Sequence, residues 1–281
     1  VTVLITGGSG FVGAHLRALL PDALAPGRDA LDLTDPDSVH AWIAAHPPTR
    51  VLHLAAQTSP QHAERDPGLT QRVNVAGTRA LVDALLAHAP RARLVAVSTC
   101  HAYGPPLRLP ITEAHPLNPV GVYARSKAAA EAVVLAGVEQ GLHAVIARPF
   151  NLTGPGHGPA FAPADWARQA AEGHRKILVG DIDVRRDYLD VRDAATGLWL
   201  LAERGLTGEA YNLCSGDAVP MRVVLAAVAP GCEPVRDPER LRNHPVPTLL
   251  GSWRKAGALG WNPTISLTQS LSDLRREIRG G

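Results

Sequence analysis

The sequence predicts an α/β fold, a doubly wound parallel sheet joined to a smaller C-terminal lobe. Two observations carry this. Through the first half, short apolar runs alternate with longer segments of helical period. Those runs are continuously apolar rather than alternating, as strands covered on both faces must be. After about Asn151 the regularity fades, which places a first domain over 1–150 and a second lobe over 151–281. In this reading the chain also crosses back from the second lobe to the first. Its 281 residues are enough for a sizeable core.

The run VTVLIT (1–6) is β-branched and stops at glycines, which marks a buried strand. The continuation LITGGSGFVGAHL sets Gly7, Gly10 and Gly13 at the entry to a helix of period Phe11 to Leu20, with Phe11 and Val12 inside the motif. Gly7 permits a tight turn, Gly10 lets the backbone approach a diphosphate, and Gly13 lets helix and strand pack closely. The helix N-terminus adds free N–H groups and the positive end of a dipole. A glycine trio alone is a weak signal. With a strand before it and a helix after it, it predicts a dinucleotide site.

The second strand falls in PDALAPGRDALDL, a short segment. An acid at its end would take the ribose 2′-hydroxyl of NAD, but Pro26-Gly27-Arg28 stands there. Arg28 either pairs with a 2′-phosphate or is a solvated loop arginine; the first reading favours NADP over NAD. Asp32, just before Leu33, either lies near the adenine or flanks a helix as a turn acid. Further strands are expected at VLHLA (51–55), RLVAV (93–97) and HAVIA (143–147), and helices at 36–46, 70–88 and 122–139. His53, on an apolar strand, reads as a hydrogen-bonded core histidine. Beyond the glycine- and proline-rich loop 154–163 come the strand patterns KILVGDI and EAYNLCS. A last helix follows Ser266, which with Gln269 has capping-box spacing.

Composition narrows the function. A net charge of +2 with scattered arginines gives no support for nucleic-acid binding. No apolar run is long enough to span a bilayer. The strand pattern starts at Val1, leaving no signal peptide in view. Cys100, Cys214 and Cys232 are odd in number and far apart, without zinc or disulfide spacing, so a reducing cytoplasm is expected. The histidines show no metal spacing, so no metal is expected.

In GVYARSKAAAEAVV, Tyr123 and Lys127 stand four residues apart, one turn along one helix face. An ammonium beside a phenol lowers the phenol's pKa from about 10, and a tyrosine so tuned exchanges a proton with a carbonyl or alcohol. The pair alone is common on exposed helices. Here it follows a dinucleotide turn and the strand end VSTCHAYG, which brings Ser98 and Thr99 to the carboxyl edge of the sheet, where such folds bind ligands.

The ordered motifs TGGSGFVG (6–13), LAA (54–56), NVAGT (74–78), STCHAYG (98–104), YARSK (123–127) and RPFN (148–151) resemble the extended short-chain dehydrogenase/reductases that act on nucleotide sugars. The resemblance implies a seven-stranded Rossmann domain, a nicotinamide cofactor and a triad of Thr99, Tyr123 and Lys127. It also implies cofactor contacts at Leu54, Ala55, Ala56 and Asn74, beside those of the glycine turn, Arg28, Asp32, Leu33, Tyr123 and Lys127. A homodimer is implied too, through the helices near 70–88 and 122–139, although both helices are equally able to be covered within one chain.

The later segments RPFNLTGPGHGPAF, VGDIDVRRDYLDVRD and DPERLRNHPVPTLLGS are similar to the branch that reduces GDP-4-keto-6-deoxymannose. That likeness implies that Asn151, Arg186 and Arg242 contact the substrate diphosphate; each arginine is also open to a salt bridge between lobes. The segment LRNHPVP lacks an acid that related enzymes use for the nucleotide ribose, which leaves the base less defined. His101 stands where related 4,6-dehydratases carry a glutamate. Either it contacts the sugar or it fills the loop. Cys100 reads as a small buried hydrophobe. The expected activity is therefore NAD(P)H-dependent reduction of a 4-keto-6-deoxy nucleotide sugar. The alternatives are an epimerase using the same triad and, in another class, a non-catalytic NAD(P)-sensing binding protein.

Overall fold

The continuously apolar runs do become parallel strands. The structure, a computed structural model, describes residues 1–241 and 246–280. Its first half runs β1 (Val3–Thr6), α1 (Phe11–Leu19), α2 (Pro36–Ala45), β2 (Arg50–His53), α3 (Pro60–Arg65), α4 (Pro67–Gln71), α5 (Gly77–His88), β3 (Arg93–Val97), α6 (Val122–Glu139) and β4 (His143–Pro149). A π-helical turn, Arg72–Ala76, joins α4 to α5, and a 3₁₀ turn, Cys100–Tyr103, follows β3. The second half runs β5 (Asn151–Thr153), α7 (Ala162–Ala171), β6 (Lys176–Val179), β7 (Arg185–Asp190), α8 (Val191–Arg204), β8 (Ala210–Leu213), β9 (Ala218–Pro220), α9 (Met221–Val228), β10 (Glu233–Arg236), β11 (Thr248–Leu249), α10 (Arg254–Gly257) and α11 (Leu267–Gly280).

The main sheet has the order β1-β2-β3-β4-β8, parallel throughout. Its apolar strands are buried on both faces. Leu4, Val51 and Leu94 face a layer built from α2, α5 and α6, while Ile5, Leu52 and Val95 face α1 and α8. Strand β8 belongs to this sheet and helix α8 packs on it, although both lie late in the chain. The second-half strands form a small sheet, β11-β7-β5 with β9 antiparallel to β7, and a β6–β10 pair. Helices α7, α9 and α11 pack there around Trp166, Tyr188, Val224 and Leu271.

The expected seven strands reduce to five in the main sheet among the described residues. The segment read as the second strand contributes one bridge, Leu24 to Leu4, closed by Ile5 N–H to Leu24 O at 2.8 Å and Leu24 N–H to Val3 O at 2.8 Å. Pro21 and Pro26 bracket that rung, and a proline has no N–H to extend a ladder. Leu31 and Leu33 are buried without becoming strand. The helix expected over 70–88 is interrupted by the π-turn, which carries Asn74. Ser266 caps α11 by accepting from Gln269 N–H at 3.2 Å, but the Gln269 amide donates to Asp273 instead of closing the box.

Candidate active site

The site begins where β1 ends. Gly7 has φ +71°, and a Cβ there would sit 2.8 Å from Ala55 N, so only glycine brings this turn onto the β2 end at Leu54 and Ala55. A Cβ on Gly13 would lie 2.4 Å from Gly7 O. Gly10 is the N-cap of α1; it offers no side-chain cap, and the first turn of α1 holds no acid. The result is a backbone cradle with a free helix N-terminus, which fits the diphosphate of a dinucleotide. Phe11 opens the helix and stacks on His157 at 4.7 Å, with Val12 half-buried behind it.

The rim beyond is looser. Arg28 is exposed and pairs with Asp32 at 3.3 Å. Asp32 accepts from Thr34 Oγ1 at 2.7 Å and Thr34 N–H at 2.8 Å, and these bonds hold its carboxyl below the usual range. It is thus a turn acid ahead of α2, and Leu33 is buried against Gly77. Ala55 and Ala56 are half-buried at the mouth. Asn74 is buried, its amide spent on protein: it accepts from Gln57 N–H at 2.7 Å and donates to Gln57 O at 3.1 Å and to Ser126 Oγ at 2.9 Å. Ser126 in turn donates to Tyr123 O at 2.8 Å. Asn74 therefore ties the loop after β2 to the start of α6. His53 is a satisfied core histidine, bonded to Thr6 Oγ1 at 2.7 Å and Thr78 Oγ1 at 3.1 Å. Burial pushes it down to about 3, with the Lys127 charge adding to the effect.

Strand β3 delivers Thr99, which N-caps the 3₁₀ turn by accepting from His101 N–H at 3.3 Å. The Thr99 hydroxyl lies close enough to the Tyr123 phenol to act on it, so the structure brings these two side chains together. Lys127 is buried one turn along α6. The expected direction of the phenol shift is corrected. Loss of water pushes Tyr123 up to about 12, against the opposing Thr99 hydroxyl. Burial pushes Lys127 down to about 8, opposed by Glu131. Desolvation sets the direction of both shifts. His101 lies beside the phenol, ring centroids 6.5 Å apart at 70°. Cys100 is buried among Tyr103, Phe150 and Cys214. The Ser98 hydroxyl is buried without a partner, a donor available to a ligand at the sheet's carboxyl edge.

The residues expected to hold a substrate diphosphate are less open. Asn151 donates to Asp187 O at 3.0 Å, joining β5 to β7. Arg186 is buried and donates to the carbonyls of Arg185 and Val246, each at 2.8 Å. Arg242 lies outside the described residues. Sequence reasoning missed the Glu131–Arg148 pair behind Lys127 and the carboxylate of Asp187, which accepts from Ser215 Oγ and from the amides of Ser215, Gly216 and Gly251. The first gave no signal, because the burial of Glu131 against Arg148 is set by packing. Asp187 gave none, being an acid inside a short strand.

Residues 3–214 match the NAD dependent epimerase/dehydratase family. The chain belongs to this family. A GDP-6-deoxy-D-mannose reductase of Pseudomonas aeruginosa is 39% identical over 99% of this chain and 98% of its own. A dTDP-glucose 4,6-dehydratase of Streptomyces griseus is 30% identical over 96% of this chain and 92% of its own. Among solved structures, RMD from Pseudomonas aeruginosa complexed with NADPH superposes with a TM-score of 0.91 at 35% identity, covering 100% of this chain and 99% of its own. This epimerase/dehydratase-family chain is therefore an NAD(P)-dependent enzyme of the extended short-chain dehydrogenase/reductase type. Among its described residues no helix is long and apolar enough to cross a membrane.

Proposed function

We propose that this enzyme reduces the 4-keto group of a 4-keto-6-deoxy sugar carried on a nucleoside diphosphate, with GDP as the nucleotide and NADPH as the reductant. The observation that carries the reaction type is the approach of the Thr99 hydroxyl to the Tyr123 phenol beside buried Lys127, on the side of the sheet edge that holds the glycine cradle. The near-full-length likeness to a GDP-6-deoxy-D-mannose reductase supports the substrate class.

NADPH, when bound, supplies the hydride that reduces C4. Tyr123 donates its proton to the C4 oxygen. A phenol held near 12 keeps that proton at neutral pH, which suits an acid in the reducing direction. Thr99 donates its hydroxyl to the same oxygen and fixes its position. Lys127 places a positive charge next to the phenol, which eases loss of its proton as the alkoxide forms. Arg28 turns from Asp32 to a 2′-phosphate, the basis for NADPH over NADH. His101 faces the sugar from the 3₁₀ turn. Asn151 and Arg186 border the diphosphate. Residues 1–150 serve as the cofactor domain and 151–281 mainly as the substrate lobe. Two chains pair through the solvent faces of α5 and α6, where Leu135 is exposed.

The test is a purified-enzyme assay with GDP-4-keto-6-deoxymannose and NADPH. Stoichiometric loss of NADPH with formation of a GDP-6-deoxyhexose is expected. Turnover of a nucleotide sugar without added cofactor would instead identify an epimerase. Failure of every keto-sugar to oxidise NADPH would leave a cofactor-sensing protein.

A further inference from the structure

Lys127 is buried, whereas Lys176 is exposed and Lys255 is half-buried against Glu209. An ammonium taken out of water without a counter-ion gives up its proton. The groups around it come from several elements. Tyr123 and Glu131 share its helix face one turn away on either side. His53 approaches from β2, and Cys100 and His101 flank the phenol from the 3₁₀ turn. Arg148 comes from β4. Glu131 supplies the negative charge that acts on Lys127. Its carboxylate is buried and gripped at both oxygens by Arg148, Nε to Oε1 at 3.0 Å and Nη2 to Oε2 at 2.6 Å. The same guanidinium donates from Nη1 to Tyr103 Oη at 2.9 Å and lies 4.9 Å from the centre of that ring. Tyr103 closes the turn that begins at Thr99, and its hydroxyl donates to Asn212 Oδ1 at 2.8 Å. One buried ion pair thus joins the helix of Tyr123 and Lys127 to the turn of Thr99.

We propose that Glu131 is a positioning residue for the reaction: its carboxylate, clamped by Arg148, keeps the Lys127 ammonium charged in its buried seat and holds α6 against the Thr99 turn. The proposal rests on the reading above only in taking Lys127 as the site's lysine. Opposed by this carboxylate, burial brings Lys127 down only to about 8, above neutrality.

The chain contains three lysines, so carbon-13 labelling of lysine gives a spectrum in which each ε-carbon is followed separately, with Lys127→Arg assigning the signal. The titration needs neither substrate nor cofactor, so a failed reductase assay leaves it intact. Wild-type Lys127 is expected to titrate near 8. Glu131→Gln should lower that midpoint by a unit, about tenfold more neutral lysine at a given pH. A Lys127 midpoint that stays put in folded Glu131→Gln overturns the proposal. So does a wild-type midpoint below neutrality, which decides the matter even if the variant does not fold.

Discussion

Tyr123 is held between two opposing influences. Loss of water pushes its phenol up to about 12, and the Thr99 hydroxyl pulls the other way. The balance leaves a phenol that is protonated at neutral pH, as the proposed proton donation requires. Tyr123→Phe removes the proton and little else, since the ring volume and α6 are unchanged. Turnover should fall about 10²- to 10⁴-fold, with NADPH affinity by fluorescence titration within twofold of wild type. Retained turnover would take the tyrosine out of the chemistry. The members of this site readable in the sequence were those fixed by local spacing: the three glycines, the tyrosine and lysine one turn apart, and the hydroxyl at a strand end. Glu131 and Arg148 meet across 17 residues of chain, and Asn74 and Ser126 across 52. Spacing carries no information about such pairs. The direction of the phenol shift was misread for a related reason: it depends on burial, which only the packed molecule sets.

Helix α6 was legible to its ends, because its apolar period is long and Gly121 breaks it cleanly. The strand at Leu24 was not, since one rung between prolines has no period. The π-turn at 72–76 also leaves the apolar pattern of its helix almost unchanged. What neither pattern nor motif revealed is how α6 starts. Its N-cap, Gly121, has no side chain, and its first turn holds no acid. Glu64 on α3 supplies the missing acceptor, taking Val122 N–H at 2.7 Å. A carboxylate there also meets the positive end of the helix dipole. Because Tyr123 is the next residue, this borrowed cap fixes the backbone that aims the phenol. Glu64→Ala should cost about 1 kcal/mol, a few degrees in Tm, and lower kcat several-fold without changing the KM for NADPH. Glu64→Gln, which keeps an acceptor oxygen, should recover most of both. An unchanged kcat in the alanine variant would show that α6 holds its start without the cap.

Across the whole molecule, two buried imidazoles make acid the weak side of its stability. His53 lies inside the main sheet. His157 lies in the loop that reaches from the second half of the chain over α1, where it is stacked between Phe11 and Phe161 at 4.7 and 5.0 Å. That loop is pinned by His15 Nε2, bonded to Pro155 O at 2.8 Å, and by Glu277, which accepts from Gly156 N–H at 2.6 Å. Burial pushes His53 down to about 3 and His157 down to about 4. Both folded values lie below the unfolded one near 6.5, so as pH falls through 6.5 the unfolded chain takes up two protons that the folded chain refuses. Stability is complete above 6.5 and is lost on the way down, the His157 share by about pH 4 and the His53 share by about pH 3. Between pH 6.5 and 4 the slope from these groups is about 2.7 kcal/mol per pH unit, and between 4 and 3 about half of that. Asp187 works in the opposite sense, because burial pushes its carboxyl up and its protonation in acid relieves a cost of folding. His157→Phe separates the contributions. A phenyl ring continues the stack, cannot take a proton, and abolishes the unpartnered Nδ1. Urea melts from pH 7 to 4.5 should show the wild type losing stability steeply, and the variant losing it with the slope reduced by one proton. Equal slopes would mean that His157 is protonated in the folded state, and therefore that the loop over the glycine cradle opens in acid while the sheet stays intact.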